Sequence, residues 1–224
     1  MKQSLFEPQL NEIEKVLRKY SLLRERWYPT LPEHLASTFR HLSYKEVWEK
    51  CYENRYFHFL LSDYSMLLFR IDYNGTMNLS YSFIDCPITI ISYTDFLLRI
   101  GETVENVGDT YYQFYEEELA MSPSKESVVP LRYDYDENGY RSGVHPVSHF
   151  HFGHESNIRL GTELILQPVS FVLFVLRQFY PNIWTDFINN NANAPILCRR
   201  IRSKLDSIDN TYLGTKDYWE LFLK

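Results

Sequence analysis

Twice in this chain an Asn-Gly pair stands beside runs in which apolar and polar residues alternate. Asn74-Gly75 separates "SMLLFRIDY" from "TMNLSYSFI", and Asn138-Gly139 follows "VVPLRYDYD". Asn-Gly tolerates the positive φ angles that tight hairpin turns demand, so each pair is a strong local signal for two antiparallel strands. An all-helical fold is thereby excluded. In the second hairpin Leu131, Tyr133 and Tyr135 fall on one face and Arg132, Asp134 and Asp136 on the other, with "VSHFHFG" as the returning strand. Further strands are expected in "RYFHFLLS" and "PITIISY".

Elsewhere the period changes from two to about 3.6. Ile13, Val16, Leu17 and Tyr20 lie on one helical face, as do Tyr44, Val47, Trp48 and Cys51, and Ser43 with Glu46 forms a capping-box pattern before the second set. Residues 95–121 read as helical with a break near Gly101. Pro168 opens the strongly apolar "PVSFVLFVLRQFY", which Pro181 interrupts, and helices are also expected at "PILCRRIRSKL", behind Pro195, and "KDYWELFLK". Segregated strands and helices predict an α+β fold, a mostly antiparallel sheet covered by helices. One domain over residues 1–224 is expected, with a subdomain boundary near 122–127 as the place where it would divide.

Composition narrows the function. With 8 glycines in 224 residues and neither GxGxxG nor GxxxxGK[ST], the chain lacks Gly-rich phosphate loops. Gly-x-Ser-x-Gly and paired-carboxylate nuclease motifs are missing too. Three scattered cysteines, Cys51, Cys86 and Cys198, encode no disulfide framework or zinc ribbon and suit a reducing cytoplasm. No apolar run approaches the roughly 18 residues of a membrane span, so a soluble cytoplasmic protein is expected. The charge is uneven. Residues 101–124 hold six acidic side chains and no Lys or Arg, while "CRRIRSK" holds four basic ones.

The densest chemistry is in "SGVHPVSHFHFGHESNIRLG", where four of the seven histidines, His145, His149, His151 and His154, occupy ten residues. On a strand His149 and His151 share one face while Phe150 and Phe152 share the other. Across the hairpin Asp134 can orient an imidazole, and Arg132 and Arg159 can hold a phosphate. Three readings stay open at this level. In the first, His149 and His151 act as general acid and base with Asp134 behind them, equipment sufficient for RNA cleavage because the 2′-hydroxyl supplies the nucleophile. In the second, the H-x-H pair binds a divalent metal, its ligands drawn from His145, His149, His151, His154 and Glu155. In the third the histidines are structural and the protein is a non-catalytic interaction protein. No organic cofactor is expected. The spacing of Gly143, His149, His151 and Glu155 resembles the first cupin motif, but Gly161 comes one residue early and no histidine follows His154.

"YDYDENGYRSGVHPVSHFHFG", then "IRLG" and "LQPVSFVLFVLRQFY", resembles a bacterial family of unknown function. That family shows an H-P-x-S-H-x-H-x-G segment, an Ile-Arg pair and a Pro-led helix ending Phe-Tyr. The likeness is densest over residues 145–180. It implies a small bacterial cytoplasmic protein and supplies no activity. More loosely, a tyrosine-rich hairpin followed by clustered histidines is similar to toxins of toxin-antitoxin pairs. That similarity implies RNA as substrate and an antitoxin or other defence-system protein as partner.

Overall fold

The structure is a computed structural model that describes residues 6–33, 35–73, 75–154, 158–190, 192 and 194–214. Seven strands form one antiparallel meander in chain order: β1 (Leu23–Arg26), β2 (Phe59–Leu61), β3 (Met66–Asp72), β4 (Asn78–Ile84), β5 (Leu131–Asp136), β6 (Ser148–Phe152) and β7 (Arg159–Gly161). A small pair, β8 (Leu164–Ile165) and β9 (Asp206–Ser207), stands apart. The helices are α1 (Phe6–Lys19), α2 (Leu35–Phe39), α3 (Tyr44–Glu53), α4 (Tyr93–Arg99), α5 (Val104–Val107), α6 (Tyr112–Ala120), α7 (Pro168–Phe179), α8 (Pro181–Asn190) and α9 (Ala194–Arg202). The fold is α+β.

Local signals account for most helix boundaries. The Ser43 hydroxyl accepts the Glu46 N–H while the Glu46 carboxylate accepts the Ser43 N–H at 2.7 Å, completing the capping box of α3. Pro168 stands in the first turn of α7, where its missing N–H costs no helical bond. Residues 95–121 divide into α4, α5 and α6, and Gly101 takes a φ of 79° after α4. The expected helix at "KDYWELFLK" lies outside the described residues.

Both hairpins are longer than two-residue turns. Asp72 pairs with Asn78, so residues 73–77 make the first loop, with Gly75 at a φ of 81°. In the second, the Asp136 carboxylate accepts the N–H groups of Asn138 and Gly139, both at 3.0 Å. That side chain folds the Asn-Gly pair into a turn of its own. A Cβ at Gly139 would meet Asp136 Oδ2 at 2.4 Å, so a larger residue there would displace the carboxylate that forms this turn. The chain then turns again through an Arg141–His145 bridge before β6 begins. Two other expectations are corrected. "RYFHFLLS" yields only the three-residue β2, and "PITIISY" forms no strand but one bridge from Ile88 to Ser124. Proline at 87 removes a ladder donor there, and backbone bonds between residues 87–89 and 123–125 tie that stretch to the 122–127 loop instead.

Period-2 alternation gives the sheet two unlike faces. On one, Phe69, Tyr81 and Tyr133 pack with Leu10 and Ile13 of α1 and Phe171 of α7. On the other, a second cluster joins Leu60, Met66 and Ile84 to Trp48 of α3, Leu97 of α4 and Tyr115 of α6. Each large side chain buried in this way contributes about 1.5–3 kcal/mol. The second cluster reaches only part of its face. Along β4, β5 and β6 that face is polar, and the histidines stand on it.

Candidate functional site

Two cross-strand rungs build the site. One runs Ser80, Asp134, His149, Gly161 across β4 to β7; the next runs Ser82, Arg132, His151, Arg159. His149 and His151 therefore share a face, opposite Asp134 and Arg132, because the β5–β6 pairing keeps the alternation in step. The same alternation turns Phe150 into the helix-side core, where its ring stacks 4.9 Å from Phe174.

The side chains converge. His149 Nε2 lies 2.9 Å from His151 Nε2, and His151 Nε2 lies 3.2 Å from Asp134 Oδ2. These three donor atoms all fall within 4.8 Å of one another. Asp134 is held from two further sides, by the Ser80 hydroxyl donating to Oδ1 at 2.9 Å and Arg132 Nε donating to Oδ2 at 2.8 Å. His149 is 1% exposed and His151 8%. The histidines are thus part of the packed interior surface rather than ornaments in solvent.

Burial sets the electrostatics. It lowers the His149 pKa to about 4, helped by the neighbouring His151 and opposed by Asp134. Burial acts on Asp134 in the opposite sense, but the His151 hydrogen bond and the Arg132 charge outweigh it and bring that pKa down to about 2. His145 packs edge-on to His149 with ring centroids 4.6 Å apart, and burial and the Arg159 charge lower its pKa.

The proton count at this site is awkward. One proton on His151 Nε2 can satisfy either Asp134 or His149, and a proton on His149 Nε2 would leave His151 presenting a lone pair to the carboxylate. Either way one of the two short contacts is left without a proton of its own. A cation among the three atoms removes the conflict. Metal–ligand bonds of about 2.1 Å at near right angles place ligand atoms about 3 Å apart, close to the 2.9 and 3.2 Å that separate His151 Nε2 from its two neighbours.

The sequence-derived candidates divide. Asp134, His149, His151 and Arg132 come together; Arg159 stands across from His151 on β7; His145 borders His149. His154 is turned elsewhere, with Nε2 at 2.8 Å from the Leu42 carbonyl oxygen and its ring 5.6 Å from Tyr44. Glu155 lies outside the described residues. Ser80 was not foreseen, although the alternation of "NLSYSFI" places it on the polar face and the neighbouring strand order puts it beside Asp134. Two cavities of the molecule lie away from this cluster, at Phe6 and His58 and at Phe174 and Cys198.

No described helix is long and apolar enough to cross a membrane. Neither the curated proteins nor the solved structures contain a match to this chain. A family model described as an uncharacterized conserved protein, DUF2290, matches residues 26–211, spanning every element from the end of β1 to the segment after β9, and the chain belongs to that family.

Proposed function

We propose that the protein binds one divalent transition-metal ion through Asp134, His149 and His151 and uses it to hydrolyse a phosphodiester, RNA being the substrate class. The observation that carries this is the convergence of three donor atoms within 4.8 Å on one sheet face. Two imidazoles and a carboxylate on one side of a metal leave positions open for water and substrate, as in catalytic rather than structural sites. Ser80 and Arg132 hold the carboxylate in place. Arg132 and Arg159 flank His151 on the adjoining rung, where their charge suits a phosphate. His145, against the His149 ring, is the nearest additional imidazole.

The test begins with protein purified without a histidine tag. About one equivalent of metal per chain is expected by elemental analysis, absent from the His149→Ala, His151→Ala pair. A labelled RNA oligonucleotide should be cleaved by the loaded wild type, and expression of the wild type should slow bacterial growth more than that of the pair. Metal-free protein whose melting temperature does not respond to added Zn²⁺, Mn²⁺ or Co²⁺ would falsify the metal reading.

A second reading rests on the central position of His151, which touches both Asp134 and His149 as a proton relay would. In it the two histidines act directly as acid and base on RNA. Cleavage that persists in excess chelator favours this alternative.

A further inference from the structure

The sheet carries an interruption on the side of β3 that faces β2. The pairing of β2 with β3 covers only Phe59 with Leu67 and Leu60 with Met66, and β3 continues to Asp72. Beyond that pairing the chain departs, since Phe57 is buried in the second apolar cluster. The last backbone bond across the gap runs from the His58 N–H to the Leu67 carbonyl at 2.8 Å. By the parity of an antiparallel ladder, the backbone groups of Phe69 and Ile71 point toward the same vacated side.

The Phe69 N–H is satisfied by a side chain, donating to His58 Nδ1 at 3.3 Å. Among the described residues no strand stands beside the Phe69 carbonyl or the N–H and carbonyl of Ile71. A cavity of about 380 Å³ opens at this place, its walls including Phe6, Pro29, Leu31, His58 and Ile71. His58 is 8% exposed. Because Nδ1 accepts from Phe69, the ring proton resides on Nε2, and that N–H has no acceptor among the described residues.

A short row of backbone donors and acceptors, an apolar hollow and one imidazole N–H on its wall fit an extended peptide better than a compact small molecule. We propose that the open edge of β3 at Phe69–Ile71 binds an extended segment of a protein partner as an added strand. An apolar side chain of that segment would fill the hollow, and one of its carbonyls would accept from His58 Nε2. The site lies on the β2 side of β3, whereas the histidine centre is built on β4, β5 and β6 from the opposite side of β3 onward.

The probes are fluorescein-labelled hexapeptides with valine at alternate positions and the intervening residues varied. At least one should bind saturably below about 1 mM and slow hydrogen exchange at the Ile71 amide. N-methylation of its alternate amides should weaken binding about tenfold, the loss of roughly one backbone hydrogen bond. Leu31→Arg, which fills the hollow, should weaken it similarly while leaving the melting temperature unchanged. Absence of saturable binding throughout the set overturns the proposal, as does binding that leaves Ile71 exchange unaltered. Slow Ile71 exchange in the free protein that is lost on deleting residues 1–5 also overturns it, by assigning the edge to the chain's own N-terminal segment.

Discussion

On β4 and β5 successive residues serve opposite faces of one sheet. Leu79, Tyr81 and Phe83 lie in the helix-side core, while Ser80 and Ser82 oppose Asp134 and Arg132 on the far side. The first face depends on volume and shape, as cores of similar packing tolerate exchanges that preserve both. The second depends on identity and position, because His149, at 1% exposure, bears a desolvation cost that only a specific set of partners offsets. Polar residues buried at that cost, beside a core that would accept apolar ones, are the reason the proposed chemistry is assigned to the polar face.

The largest expected effect tests the helix face. Tyr133 is fully buried, with its ring 5.5 Å from Tyr81 and 5.4 Å from Phe150, and its hydroxyl is hydrogen-bonded to Ser148 at 2.8 Å. Tyr133→Ala should cost about 3–5 kcal/mol of folding stability, read from the urea midpoint at unchanged slope. A loss below about 1 kcal/mol would mean that this face is not the main source of stability.

A smaller effect separates His58 from the histidines of the polar face. His58 lies between Phe6 and Phe69, and burial, then the Arg26 charge, lowers its pKa to about 4. With a folded value below the ordinary 6.5, the unfolded chain binds more protons across that interval. Stability from this group is therefore full above about pH 6.5 and falls as the pH drops toward 4, by at most about 3 kcal/mol. Urea titrations at pH 7, 5.5 and 4 should show the decline, and His58→Gln should make it shallower while leaving the part due to His149. An unchanged slope in the variant would assign the decline to other groups.

The smallest stability effect belongs to the polar face. Ser80→Ala removes the 2.9 Å bond to Asp134 and should cost only about 0.5–1.5 kcal/mol. Under the metal reading the same change should lower affinity for Zn²⁺ or Co²⁺ by about 10- to 100-fold, since it frees a ligand from its orienting partner. Competition with a chelator measures this. Equal and small effects on both quantities would remove the distinction between the faces at this residue.

What the sequence determined by itself was set by alternation and capping. The residues of β5 and β6 predict their own faces, so that Tyr133 and Phe150 go inward while Asp134, His149 and His151 share the opposite side. Ser43 and Pro168 likewise mark the starts of α3 and α7. These properties belong to the extended or helical backbone over a few residues, and sequence contains that range completely.

Tertiary structure decided the rest. Ser80 meets Asp134 across 54 residues of chain, and His154 leaves its neighbours for a carbonyl at Leu42. The edge beside Ile71 exists because the residues before β2 are drawn into the second core. Each outcome is a competition between a local preference and contacts among distant segments. Loop closure and packing are summed over the whole chain, so the winner is not written in any short stretch of it.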